Sequence, residues 1–469
     1  MPIAHPEQKL AMARHRQAMT LQLNDSARQN WQRLAQAWGA AINDYVRIGN
    51  DYGWDVAGEQ PELPGMQPLY PALLEALRAA NAAGDAAIRQ LREDWPPSPD
   101  LYAGLLEGNA QAISQLAVLA DGSVLARIGA SYETPRCVRL RQGQCEQLDS
   151  ALLGFGLSGD GRLLALASVE GIAIHAGWQG ERLAMLAWPT GAEGLPYGLA
   201  LAENPRNFEI EALQPFPDGQ RVLLACRSGV YVLAAGGATR LHPDAGRLHE
   251  LARDSGSKRS GSKRSGMPLE IDLDMVHAAL SPDGQWIAAG DQCSVHVLFD
   301  AALKPVGHIG PHSEYPDYAL FAADSRQVLL NACHFYSGCS IGVNREHWIG
   351  LDTDYYDDAH PAITTLQEGA RVYAAISRAG EYIVGDAHGY LRAFGHDGTP
   401  HWTHFVGSTI SSMALSGDGK TLAVGSYGGA ISLIALNSGE RDAWQIGTGP
   451  HRERERWLFW QQEATPLRW

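Results

Sequence analysis

The chain has 469 residues, of which 45% are hydrophobic and 19% charged, and its net charge is −15. It is too long for one ordinary core, so several domains or a repeat architecture are required. The negative charge repels phosphate backbones and argues against a nucleic-acid partner. No apolar run approaches the ~18 residues that a membrane span needs.

Residues 1–99 read as a helical region that ends in a Pro-rich linker. A first helix is predicted over Pro6–Leu23. Ser26 and Gln29 have the spacing of a capping box, and Trp31, Leu34, Trp38, Ile42 and Tyr45 then recur at steps of three and four. That pattern predicts a second helix running to about Ile48, with the two tryptophans packed as core. Leu73, Leu74, Leu77, Ile88 and Leu91 predict one or two more helices before Pro96, Pro97 and Pro99 stop them. The N-terminal stretch lacks the apolar core of a signal peptide. The six cysteines contain no CxxC pair, so neither a disulfide framework nor a zinc module is expected, and the expected location is cytoplasmic.

Residues 100–450 change to period-two patterning punctuated by turns. The segments Phe155–Leu166, Ala279–Gly290 and Ala414–Gly425 each place an apolar strand, a tight Asp-Gly turn and a second apolar strand in the same order. Asp-Gly suits a hairpin because Gly accepts positive φ and Asp satisfies the N–H groups of the turn. The unit can be placed seven times, with turns at Asp121-Gly122, Asp160-Gly161, Asp218-Gly219, Asp283-Gly284, Asp324-Ser325, Ala379-Gly380 and Asp418-Gly419. A third strand follows most copies, as at Ile172–His175, Val230–Leu233, Val295–Phe299, Tyr390–Phe394 and Ile431–Ile434. The fold expected is mainly β, a seven-bladed β-propeller with an N-terminal α-helical region; the less regular fifth and sixth units leave six or eight blades open. Inserts are expected at 190–208, 252–267 and 351–360. The second contains GSKRS twice in tandem and reads as a mobile loop.

These repeats resemble those of the WD-repeat and quinoprotein-like propellers. The resemblance covers about three quarters of the chain and is one of architecture. The Trp-Asp ending is missing, with Leu298-Phe299-Asp300 its nearest relic, and the Gly-His opening is missing too. The aromatic tail 451–469, with Trp457, Trp460 and Trp469, is expected to close the ring with a strand for the first blade or to pack on the N-terminal helices. Within it, Arg452, Arg454 and Arg456 alternate with Glu453 and Glu455, which on a regular strand puts the two charges on opposite faces.

Linear motifs for chemistry are weak. Gly154, Gly156 and Gly159 match GxGxxG, but they run into a strand where a nucleotide site needs a helix. The least generic region is 312–360. Asp352, Asp354, Asp357 and Asp358 offer hard oxygen ligands of the kind that suit Ca²⁺. No other cofactor is expected. The same loop, with Tyr355, Tyr356 and His360, would equally suit a basic partner protein. His312, Glu314, Tyr315, Asp317, His334 and Tyr336 sit just upstream and complete the set of partner-binding candidates.

The function expected from these features is a non-catalytic protein–protein interaction scaffold. A narrower form is a bacterial immunity or adaptor protein that covers and neutralises a toxin. The enzymatic alternative is a propeller hydrolase or lactonase with a metal in the central channel.

Overall fold

A computed structural model describes residues 6–62, 64–97, 110–130, 135–197, 209–258, 269–354 and 360–469. Its strands form seven sheets, the blades of a β-propeller, in which four antiparallel strands follow one another in chain order and the fourth and seventh sheets carry an added outer strand. Blade 1 spans Ile113–Gln147, blade 2 Leu152–Leu186, blade 3 Ile210–His242 and blade 4 His277–Ile309. Blade 5 spans Tyr315–Glu368, blade 6 Val372–Phe405 and blade 7 Ile410–Arg468. The first strands of neighbouring blades run side by side and line the channel.

All seven turns read from the sequence join the first and second strands of a blade, and each holds a residue in the left-handed region. Its φ is 79° at Gly122, 70° at Gly161, 67° at Gly219, 69° at Gly284, 71° at Gly380 and 69° at Gly419. Only blade 5 uses a residue with a side chain, Ser325 at 58°. A serine two residues before the aspartate locks the turn. Ser158, Ser281 and Ser416 each donate to their aspartate at 2.6 Å and accept a backbone N–H from the start of the second strand. The fully buried cores lie between blades, where Val, Ile, Leu and Ala of adjacent sheets interdigitate.

The GxGxxG match falls on the first strand of blade 2. A Cβ on Gly156 would lie 1.5 Å from the Leu213 carbonyl oxygen of blade 3. The glycine permits close approach of two strands.

The N-terminal region departs from the predicted pair of helices. One helix, α1 (Pro6–Tyr52), runs through Ser26 without a break. No Pro interrupts it after its first residue and the first Gly is Gly39, so the capping box has no chain reversal to cap. Short α2 (Trp54–Ala57) follows, then α3 (Tyr70–Ala83) and α4 (Asp85–Asp94). Together with the C-terminal tail these helices bury Trp31, Met66, Tyr70, Leu73, Leu77, Trp95, Trp460 and Trp469 in one core. The indole N–H of Trp31 donates to Pro96 O at 2.8 Å, and that of Trp469 to Trp95 O at 2.6 Å. Asn81 brackets the backbone of Arg468, donating to its carbonyl and accepting its N–H at 2.8 Å each.

Within the tail, Arg452–Leu458 is the fourth strand of blade 7 and Leu467–Arg468 a fifth beside it. The expected separation of cations and anions fails here. Register shifts at Arg454, because Leu433 pairs with Glu455 while Ile434 pairs with Glu453. This bulge resets the alternation, so Glu453 and Arg456 are both buried and pair at 2.8 Å, and Arg92 of α4 joins Glu453 at 3.1 Å.

A fifth helix, α5 (Ala245–Lys258), occupies the start of the segment read as a loop from 252. Asp244 caps it by accepting the Arg247 N–H at 2.8 Å, and Leu248 anchors it in the core of blades 3 and 4. The rest of the GSKRS duplication, from residue 259, lies outside the described residues.

Candidate functional site at the channel mouth

The turns between second and third strands, and the connections between blades, open onto one face of the ring, opposite the Asp-Gly turns. Six first strands carry a β-bulge as they leave that face. The residue without a partner on the second strand is Ser114, Leu153, Glu211, Asp317, Tyr373 or Ser411. A bulge kinks its strand and re-aims a side chain. These six positions, one in every blade but the fourth, ring the mouth of the channel.

Charges from across the ring meet there. Asp317 of blade 5 holds Arg371 in a fork, with contacts of 3.0 and 3.2 Å. Arg127 of blade 1 is buried and donates to Leu153 O at 3.0 Å and to Ser114 Oγ at 2.7 Å. Arg227 of blade 3 binds Asp272 at 2.6 Å, Asp274 at 3.2 Å and Glu209 at 3.5 Å. Glu211 has no hydrogen bond or ion pair among the described residues. Its side chain is exposed to solvent, with protein packed densely around it. That packing, reinforced by Glu209 and Asp317 and opposed by Arg127 and Arg227, pushes its carboxyl up to about 7. Enclosure also raises the Asp317 carboxyl, against the pull of Arg371.

Aromatic side chains crown the mouth on blades 5 to 7. Phe335 and Tyr336 are 73% and 63% exposed, and Tyr427 is 48% exposed. The Tyr373 and Tyr427 rings meet edge to face at 5.8 Å, and Tyr336 lies 6.3 Å from His388. The Arg371 guanidinium stands over Tyr373 at 4.4 Å from its centroid, and its backbone N–H donates to Tyr336 O at 3.1 Å. One half-buried ion pair therefore braces the arc. Protein packed around the half-exposed Tyr427 ring lifts its phenol to about 12, and Tyr373 and Glu211 add to that rise.

The sequence candidates divide between two places. Asp317, Tyr336, His334, Glu314 and Tyr315 cluster at the mouth on blade 5, where His334 and Glu314 pair at 2.7 Å. His312 precedes them in the connection from blade 4, near the buried His296. Asp352 and Thr353 instead form the outermost strand of the blade 4 sheet, parallel to His308 and Ile309. Four inter-strand spacings separate that strand from the channel edge, on the order of 19 Å. Exposed Asp354 and half-buried His360 belong to this outer rim. Tyr355, Tyr356, Asp357 and Asp358 lie outside the described residues.

Glu211, Tyr373, Tyr427 and Arg371 were not singled out by their sequence. A signal existed in the repeat phase. Ser114, Leu153, Glu211, Asp317 and Ser411 each precede the turn aspartate by seven residues, since 121, 160, 218, 324 and 418 less seven give those numbers. Tyr373 stands six before Ala379, in a unit whose turn is shorter.

Among the described residues, no helix is long and apolar enough to cross a membrane. In comparison with known proteins, no family model matches the chain, and no curated protein does. Among solved structures it is similar to a chain in the crystal structure of a mitotic checkpoint complex, with a TM-score of 0.44 and 13% identity over 69% of this chain and 87% of that one. A likeness of that size bears on neither activity nor partner.

Proposed function

We propose that the protein is an interaction scaffold that holds another protein against the channel-mouth face of blades 5 to 7. The observation that carries this reading is the arc of Phe335, Tyr336 and Tyr427, large aromatics left exposed on one face and braced by the Arg371–Asp317 fork. Rigid exposed aromatics beside Arg are the composition of binding hot spots, since they bury much area while losing little side-chain freedom. The net charge of −15 favours a partner with a basic surface.

The test is a photo-reactive residue placed at position 336, with cross-linked proteins compared between wild type and the Phe335→Asp and Tyr427→Asp variants. A Val169→Asp variant, on the turn of blade 2, serves as control. A scaffold of this kind gives a defined cross-linked partner that is lost in the first two variants and kept in the control. Absence of any such partner, or equal loss in all three variants, overturns the reading.

A further inference from the structure

We infer that the aromatic arc at the channel mouth receives an extended, proline-rich segment of the bound protein, with a basic residue of that segment held at the Glu314 end. This rests on the scaffold reading and adds the chemistry that the partner must present.

Three observations converge on it. First, the arc is built at a conformational cost. His334 pairs with Ser337, so Phe335 and Tyr336 are the two central residues of a hairpin turn, and Phe335 has a φ of 53°. Gly or Asn ordinarily takes that left-handed position, and a bulky ring there is an outlier of the kind that clusters at functional surfaces. The ring gains no burial in return, since Phe335 is 73% exposed. Second, the rings are held by the frame beneath them. Arg371, just before blade 6, forks onto Asp317, donates to Phe335 O at 3.4 Å and stands 4.4 Å from the Tyr373 centroid, while its backbone N–H donates to Tyr336 O at 3.1 Å. Tyr373 meets Tyr427 of blade 7 edge to face at 5.8 Å, and Tyr336 lies 6.3 Å from exposed His388. Among the described residues the hydroxyls of Tyr336, Tyr373 and Tyr427 make no hydrogen bond. The arc thus offers ring faces and O–H donors in a preset arrangement. A polyproline II segment complements it: its carbonyls are unpaired acceptors, its rings are apolar, and proline brings no N–H that needs an acceptor. Third, one end of the arc is acidic. Exposed Glu314 pairs with His334 at 2.7 Å, and the His334 ring abuts that of Phe335 at 4.7 Å. A carboxylate has room for more donors than one imidazole, so a Lys or Arg beside the prolines meets it there, in keeping with the net charge of −15.

The residues have separate roles. Phe335, Tyr336 and Tyr427 supply contact area and donors. Glu314 fixes which end of the segment lies on blade 5. Arg371 and Asp317 are positioning residues that act through the rings they hold. Phe335 also distinguishes a binding role from a structural one. Asn fits a left-handed turn better than Phe, so a fold that has no use for the exposed ring keeps or gains stability when Asn replaces it, and only binding suffers.

The probe is a synthetic oligoproline with an arginine at each end. Its controls are a Gly-Ser peptide of the same length with the same arginines, and the oligoproline with glutamates in their place. Each is titrated into the full-length protein and followed by calorimetry and by NMR of the tyrosine rings. The expected result is saturable binding of the arginine-flanked oligoproline, with the Gly-Ser peptide weaker by about tenfold or more, since it must be ordered on docking. The glutamate-flanked peptide should bind more weakly than the arginine-flanked one, and Glu314→Gln should weaken the latter about two- to fivefold, the scale of an exposed ion pair. Phe335→Asn should weaken binding about tenfold, with a melting temperature equal to or above that of wild type. Tyr427→Phe keeps the ring, removes the hydroxyl and should weaken binding about fivefold, the scale of one hydrogen bond. Equal binding of the Gly-Ser peptide, or a Phe335→Asn variant that binds like wild type, overturns the inference. If cross-linking at 336 finds a partner while these probes fail, the scaffold stands and the proline-rich segment does not. If the oligoproline binds but no partner is found, the scaffold reading fails and the peptide site stands.

Discussion

Glu453 offers the sharpest test of how the helices are tied to the ring. It is fully enclosed on the fourth strand of blade 7, between Arg456 of the same strand and Arg92 of α4. Burial alone would raise its carboxyl, but the two guanidinium groups prevail and hold it at about 2. An unfolded glutamate titrates near ~4.3, so the folded state favours the ionised form by over two units, or roughly 3 kcal/mol at neutral pH. Glu453→Gln forfeits that and leaves two cations facing a neutral amide, a loss of about 3 to 5 kcal/mol for a broken buried pair. The depressed value fixes the sign. The contribution is complete above about pH 5 and disappears as pH falls through 2. Urea unfolding followed by tryptophan fluorescence is the assay, because Trp31, Trp95 and Trp469 lie in the same interface. The gap between wild type and variant should be about 3 kcal/mol at pH 7 and should close toward pH 2. A gap under about 1 kcal/mol, the range of a surface pair, or one that does not change between pH 7 and pH 3, would refute the reasoning.

Other outcomes follow from particular contacts. Gly156→Ala should destabilise strongly or prevent folding, since its methyl group would overlap the Leu213 carbonyl of blade 3, whereas Gly161→Ala, with open space around it, should lose only about 1 to 2 kcal/mol to its positive φ; equal losses on thermal melting would contradict the packing. Trp469→Ala empties a fully buried site in the tail and should cost about 3 to 5 kcal/mol by urea titration; a loss under about 1 kcal/mol would mean that the helical layer is not packed on the tail as described. His277 and His404 are buried, and burial holds both at about 4, below the ordinary value of 6.5. Stability should therefore fall as pH drops from about 6.5 to 4, because the unfolded chain takes up protons that these rings refuse. A wild-type profile that stays flat across that window excludes this.

The propeller was legible because its information is local. A Ser-x-Asp-Gly turn needs four consecutive residues, and it fixes the register of both flanking strands wherever it occurs. Even the turn without glycine kept its place, Ser325 taking up the left-handed conformation. Parity was less legible than period. One extra residue at Arg454 brings Glu453 and Arg456 onto one face, and nothing in an Arg-Glu alternation announces a bulge. The break expected between the first two helices failed for a related reason, since Ser26 and Gln29 mark a start only where the chain turns, and α1 has no turn there.

The channel mouth was half visible. Asp317 and Tyr336 attract notice because they neighbour other unusual residues, yet the charges that surround Glu211 come from blades 1, 3 and 5 and share no stretch of chain. The acidic segment invited attention through its local density, and its described ends, Asp352 and His360, belong to the outer rim. Local density of charge and convergence in space are different quantities, and a repeat protein separates them further than most.

The joint between the first and last blades has a mechanical consequence. Among the described residues those two blades exchange no strand. Ser411 and Ser412 donate to Ile113 O at 2.6 and 2.8 Å, and Gln111 N–H reaches Phe459 O at 3.0 Å. Across the back of blade 7, α3 and α4 seize the tail through Asn81, Arg92 and the tryptophans. The helical layer thus clasps the last strands of blade 7, next to that seam. Under load, or in a slow thermal fluctuation, the ring should part at that seam before any blade unravels. Deuterium would then reach the first strands of blades 1 and 7 early, and loosening the clasp would shorten the time the circle stays shut.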